Sequence, residues 1–176
     1  MSDTTTAPAA ADAATQAALE RLNTVIDRLI APDGCPWDST QTPESLTEYV
    51  IEECHELVDA IRSGKTADMV EELGDVAFLI LMIGKLMARA GGPSLADALE
   101  VEAAKMVRRH PHVFSDTTYE NQSEQLKDWD RIKREEKAAA GAEGPKGTYD
   151  SLPRGLPPLT KAYRIHSKAD RVGFTW

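Results

Sequence analysis

The chain has 176 residues, 41% of them hydrophobic, and a formal net charge of −9 at pH 7. That length supports one well-buried domain and is short for two. The acidic balance excludes a nucleic-acid backbone as the main partner, because such binders cluster Lys and Arg against phosphates; an anionic small molecule would need a bridging metal here.

Residues 1–14, rich in Ala and Thr with Asp3 and Asp12, lack the basic start and apolar core of a signal peptide and read as a disordered tail. Ala18, Leu22, Val25, Ile26, Leu29 and Ile30 recur at helical spacing, predicting a first amphipathic helix from about Thr15 to Ile30. Ala31-Pro32-Asp33-Gly34 ends it, and Cys35-Pro36-Trp37-Asp38 forms a loop. Cys35 and Cys54 form neither a disulfide framework nor a zinc-ligand spacing, and two free thiols fit a reducing cytoplasm.

Thr42-Pro43-Glu44 combines a capping hydroxyl, a proline at the first helical position and an early acid, so a second helix is predicted from there to about Arg62. Leu46, Val50, Cys54, Leu57, Val58 and Ile61 form its apolar stripe, with Glu52, Glu53 and Glu56 on neighbouring faces. Ser63-Gly64-Lys65 makes a turn, and Thr66 can cap a third helix reaching about Arg89. After Asp75 this helix is apolar nearly all round, which predicts burial on every side, in a bundle or across a subunit interface. Its apolar run, Val76 to Met82, continues past Gly84 but is broken by Lys85, well short of the roughly 20 residues a membrane span needs.

Ser94 can cap a fourth helix ending at Arg108 and Arg109, where His110-Pro111-His112 stops it and shapes a turn. A fifth helix is predicted from about Ser123 to Ala140, with Leu126, Trp129, Ile132 and Lys133 on adjoining faces. Residues 141–158, dense in Gly and Pro, read as a flexible linker before a last helix from about Leu159 to Ala169. No strand alternation or solenoid period is visible, so an all-α helical bundle is expected: tail 1–14, domain 15–140, linker 141–158, and a C-terminal helix with its tail at 159–176.

The chemistry sits in two acidic signatures, Glu52-Glu53-Cys54-His55-Glu56 and Glu72-Leu73-Gly74-Asp75. Residues three or four apart share a helix face, so Glu53 lines up with Glu56 and Glu72 with Asp75. Carboxylates gathered from two adjacent helices repel unless a cation joins them, and hard oxygen ligands suit Mg²⁺, which keeps waters and substrate phosphates in its shell. Asp75, between Leu73 and the apolar run, is expected to be buried and to need a cation or a donor. Gly74, costly inside a helix, suggests close packing or a ligand near the backbone. The structural alternative for Glu52, Glu53 and Glu56 is a solvated helix face.

Lys105 and Arg109, four apart on one face, can reach the same polyphosphate, with Arg108 as the alternative phosphate contact. The competing reading is a basic last turn facing the helix dipole. Trp129 and Lys133 repeat that spacing and offer an aromatic face for a base and a cation for phosphate, unless Trp129 is core. Trp37 and Asp38 could close over a nucleotide or anchor their loop.

These segments together resemble the MazG-type nucleoside triphosphate pyrophosphohydrolases, whose Glu-Glu-x-x-Glu and Glu-x-x-Asp signature is met by Glu52, Glu53, Glu56, Glu72 and Asp75. The resemblance takes in Gly34-Cys35-Pro36-Trp37-Asp38, Gln41-Thr42, Arg108 to Phe114, Trp129 to Lys133 and the terminal Val172-Gly173-Phe174-Thr175-Trp176, and it is to the first repeat of two-repeat members. It implies an all-α fold assembling as a homodimer or dimer of dimers. It also implies hydrolysis of an NTP or dNTP to the monophosphate and pyrophosphate with Mg²⁺, Mn²⁺ being a substitute, in nucleotide-pool cleansing. A catalytically weak nucleotide-binding or regulatory copy is the alternative. Carried onto this chain, the metal ligands would be Glu53, Glu56, Glu72 and Asp75, and Glu52 or Glu53 would orient or deprotonate the attacking water. Substrate contacts would come from Lys105, Arg108, Arg109, Trp129, Lys133 and Trp37.

Overall fold

Every regular element among the described residues is helical. In this computed structural model the described residues are 6–139, 141, 147, 149–150, 152–171 and 173–174, without the side chains of 6–11, 137 and 171. The elements are α1 (Thr6–Leu29), a 3-10 turn (Asp38–Thr40), α2 (Thr47–Ser63), α3 (Thr66–Arg89), α4 (Leu95–Arg109), α5 (Pro111–Phe114), α6 (Gln122–Ala139) and α7 (Pro158–Arg171). Parts of the expected tail (1–5) and linker (142–146, 148, 151), and Val172, Thr175 and Trp176, lie outside the described residues.

The expected all-α class is what the chain adopts, with two differences of extent. α1 begins at Thr6 rather than near Thr15, because the Ala-rich segment before it has strong helix propensity and continues the helix backwards. α2 begins at Thr47. The start signal at Thr42 instead closes a single turn, in which Thr42 Oγ1 accepts from the Ser45 amide at 3.2 Å and Ser45 Oγ accepts from the Thr42 amide at 3.0 Å. The chain divides into two compact units, Met1–Glu102 and Ala103–Trp176, where one domain over 15–140 was expected.

In the first unit α2 and α3 form an antiparallel hairpin across Gly64-Lys65, and α1 packs on α3. Gly64 sits at φ 71°, the left-handed conformation a side chain resists, and its amide donates to the Ile61 carbonyl at 3.3 Å. Ile26 of α1, Ile30 just after it, Leu46, and Leu79, Leu81, Met82 and Leu86 of α3 form the core of this unit. Ile26, Leu46 and Met82 are fully buried, worth about 1.5–3 kcal/mol each in transfer free energy. Lys85 Nζ donates to Asp27 at 2.7 Å, and the Arg89 guanidinium donates to the Ile30 carbonyl at 2.7 Å, meeting an acceptor that the end of α1 leaves unpaired.

Among the described residues α3 is not covered on every side. Val70 (68% exposed), Leu73 and Ile80 remain exposed, as do Ile51 and Ile61 of α2. These residues leave apolar surface of the hairpin bare among the described residues, Ile80 being the one that belongs to the run after Asp75.

Ser94 caps α4 as expected, its side chain and amide both bonding the Asp97 carboxylate, at 2.6 and 2.7 Å, while Ser94 Oγ accepts from the Asp97 amide at 3.3 Å. These bonds, the hydroxyl's first, hold the Asp97 carboxyl below the usual aspartate range. In the second unit His110 Nδ1 bonds the Met106 carbonyl at 2.7 Å, and Pro111 starts the short α5.

Candidate metal centre and substrate contacts

Glu53 and Glu56 lie one turn apart on α2, and Glu72 lies on α3 at about the same remove from the Gly64-Lys65 turn. The hairpin thus sets the three level, and oxygens from all three carboxylates fall within 4.8 Å of one another. Glu53 and Glu72 are half-buried while Glu56 is exposed. Partial burial raises the Glu53 carboxyl above its ordinary range, and repulsion from Asp75, Glu56 and Glu52 adds to it. Burial likewise raises Glu72, with repulsion from Glu56, Glu53, Glu71 and Asp75 following. Glu52 is exposed at the margin of this group.

The donor set fits a hard divalent cation. Three carboxylates offer oxygen ligands and nothing softer, two of them lose solvent, and their mutual repulsion is the energy a cation would relieve.

Two expectations about the Glu72-to-Asp75 segment need correcting. Asp75 is exposed rather than buried, and it is not among the three carboxylates that converge, although its charge reaches Glu53. The apolar run after it packs only from Val76 onward, while Leu73, just before, is 59% exposed. Gly74 is not closely packed among the described residues: a Cβ there would meet none of their atoms within 4 Å.

Trp37 lies 48% exposed in the loop after α1, edge-on to Tyr49 with ring centroids 5.6 Å apart. Its carbonyl accepts from Thr40 Oγ1 at 2.9 Å and Gln41 Nε2 at 3.0 Å, so the loop is tied down by its own backbone.

The second unit holds the expected cationic and aromatic residues. Lys133 Nζ stands 5.5 Å from the centroid of the Trp129 ring, a cation–π contact, and Trp129 is 37% exposed rather than core. Lys105 is half-buried on α4. Arg108 and Arg109 both bond Glu136 of α6, a residue that sequence reasoning missed. It stands 27 residues beyond Arg109, and no local spacing could have joined them.

Comparison with known proteins follows the same residues. Residues 41–114 match the MazG nucleotide pyrophosphohydrolase domain, a span containing all five carboxylates of the signature. The chain is 38% identical over 159 residues to the nucleoside triphosphate pyrophosphohydrolase of Escherichia coli (strain K12), covering 90% of this chain and 59% of that protein. It is 37% identical over 157 residues to the nucleoside triphosphate pyrophosphohydrolase/pyrophosphatase MazG of Thermotoga maritima, covering 89% of this chain and 58% of that one. The chain therefore spans somewhat under two thirds of the length of these relatives. Among solved structures, a mazG-related protein from Thermotoga maritima superposes with a TM-score of 0.56 at 29% identity, covering 65% of this chain and 97% of that one.

Proposed function

Because residues 41–114 match the MazG nucleotide pyrophosphohydrolase domain, we propose that the chain is a Mg²⁺-dependent nucleoside triphosphate pyrophosphohydrolase, converting an NTP or dNTP and water to the monophosphate and pyrophosphate. The observation that carries this reading is the convergence of Glu53, Glu56 and Glu72 within 4.8 Å across the α2–α3 hairpin, inside the matched domain. Glu53, Glu56, Glu72 and Asp75 are the proposed ligands of Mg²⁺, for which Mn²⁺ can substitute. Bound there, the cation would neutralise phosphate charge and orient the reacting phosphoryl group.

The chain's own residues supply the rest. Glu52 and Glu53 stand side by side on α2, and one of the two is the proposed base that takes the proton of the attacking water. Lys105, Arg108, Arg109, Trp129, Lys133 and Trp37 are the proposed substrate contacts, cations for phosphates and rings for the base. The work fits nucleotide-pool cleansing in the cytoplasm. Among the described residues no helix is long and apolar enough to cross a membrane.

The bare apolar residues of the hairpin, Ile51, Ile61, Val70, Leu73 and Ile80, support a homodimer or dimer of dimers in which a second copy covers them.

The test is a panel of NTPs and dNTPs with Mg²⁺, Mn²⁺ or chelator, scored for pyrophosphate and monophosphate together. Equal amounts of the two products, lost on chelation, are expected. Release of orthophosphate instead, or nucleotide binding without turnover, would overturn the reading, the latter in favour of a regulatory copy.

A further inference from the structure

Arg108 and Arg109 are consecutive, and an α-helix points consecutive side chains about 100° apart. Both nevertheless converge on one carboxylate within the second unit. Arg108 Nε donates to Glu136 Oε1 at 3.1 Å, and Arg109 donates to Oε2 through Nε at 2.9 Å and Nη2 at 2.7 Å. The Glu136 and Arg109 side chains are only 19% and 18% exposed, against 54% for Arg108. Burial works against the charge of Glu136, yet the two guanidinium groups outweigh it and hold its carboxyl below the ordinary glutamate range.

Each guanidinium carries five N–H donors in a fixed plane. Glu136 engages one from Arg108 and two from Arg109, which orients the Arg109 plane, tethers Arg108 beside it, and leaves both Nη groups of Arg108 and Nη1 of Arg109 outside the contact. The triad keeps a net single positive charge. Lys133, three residues before Glu136 on α6, adds another cation on that helix. Two neighbouring arginines left to themselves repel and wander. Ordering them when an anion arrives would cost affinity, whereas a half-buried carboxylate orders them during folding.

We propose that Glu136 is a positioning residue that presets the guanidinium groups of Arg108 and Arg109 as a clamp for a polyphosphate, the triphosphate of the nucleotide. This rests on the reading of Arg108 and Arg109 as substrate contacts. Glu136 touches no reacting atom; it acts through the arginines. Its negative charge also opposes an incoming anion, so removing that charge separates two accounts by sign: a positioning residue makes binding weaker when neutralised, and a mere competitor makes it tighter.

The experiment measures inorganic tripolyphosphate binding by calorimetry to the full chain with divalent metal chelated, alongside NTP turnover with Mg²⁺. For Glu136→Gln the expected results are about tenfold weaker tripolyphosphate binding and a KM raised by a similar factor, with kcat changed less. Glu136→Asp, which keeps the charge at shorter reach, should lose only part of this, and it carries the test if the Gln variant fails to fold. Unchanged or tighter tripolyphosphate binding in a folded Glu136 variant would overturn the proposal, as would wild-type binding that survives Arg108→Ala and Arg109→Ala together. Tripolyphosphate binding that depends on Glu136 in a protein without turnover would support the clamp while sinking the proposed activity.

Discussion

Glu53 on α2 and Glu72 on α3 face each other closely enough for their carboxylate oxygens to lie within 4.8 Å, and each is raised above its ordinary range by partial burial and by its acidic neighbours. Two helices that pack through such a contact hold an unfavourable electrostatic relationship in place by the hydrophobic packing behind it.

That relationship predicts metal-dependent stability. Saturating Mg²⁺ at about 100 times its Kd should stabilise the folded chain by about 2.7 kcal/mol, read as a rise in Tm. Glu53→Gln and Glu72→Gln should each remove most of the rise and most of the turnover, while the metal-free Tm stays level or increases because a repulsion has gone. Asp75→Asn tests the fourth proposed ligand: an unchanged Mg²⁺ response would drop it from the set.

Acid stability is set elsewhere. Asp128 accepts from the Tyr119 hydroxyl at 2.7 Å and from Arg131, and these bonds, the hydroxyl's first, hold its carboxyl below the usual aspartate range against burial. The same bond raises the Tyr119 hydroxyl. A carboxyl whose folded pKa is depressed adds stability above its unfolded pKa and loses it as pH falls through the folded one. The contribution is therefore complete above about pH 5 and fades below about pH 4. Asp128→Asn should flatten the acid limb of a urea-midpoint profile across that window; a limb of unchanged slope would show that the bond carries no linkage.

The close approach of α3 to the start of α4 makes Gly84 intolerant of a side chain. A Cβ there would lie 2.7 Å from Leu95 Cβ and 3.4 Å from its Cα, atoms that cannot swing aside. Gly84→Ala should cost about 1–3 kcal/mol in denaturant unfolding despite alanine's better helix propensity.

Gly74 lies in the same helix, and the opposite sign is expected there. Among the described residues nothing stands near a Cβ, so Gly74→Ala should stabilise an isolated chain by about 0.5–1 kcal/mol. If a second copy covers this face, the added methyl should instead weaken association in sedimentation. Gly64→Ala, forcing a side chain into the left-handed turn at φ 71°, should destabilise by about 1 kcal/mol.

The same contrasts show what the sequence made legible. α3 spans Thr66–Arg89 as its flanking turns and apolar run predicted, although Lys65 rather than Thr66 takes the cap position and no side chain caps it, and Ser94 caps α4, because these features depend on residues a few positions apart. The Glu53, Glu56 and Glu72 cluster was legible for a related reason: helical spacing on two helices joined by a short turn leaves little freedom in where the side chains fall. Asp75 misled because burial was inferred from the residues after it, whereas burial on a helix depends on what packs against each face. Val70, Leu73 and Ile80 stay bare for that reason. The Arg108–Glu136–Arg109 triad joins helices separated by a loop, and only tertiary packing could reveal it.

The two-residue turn at Gly64-Lys65 also bears on how the chain folds. It brings the acidic residues of α2 and α3 together through contacts that are local along the sequence, and closing so short a loop costs little entropy, whereas docking α1 onto α3 joins residues such as Asp27 and Lys85 that are 58 apart. The hairpin is thus the natural early structure, and the charge repulsion it creates is met before most of the core exists to oppose it. A divalent cation present during refolding should consequently speed the folding arm of the chevron as well as slow the unfolding arm, tying the rate of chain assembly to the ion that the finished site would hold.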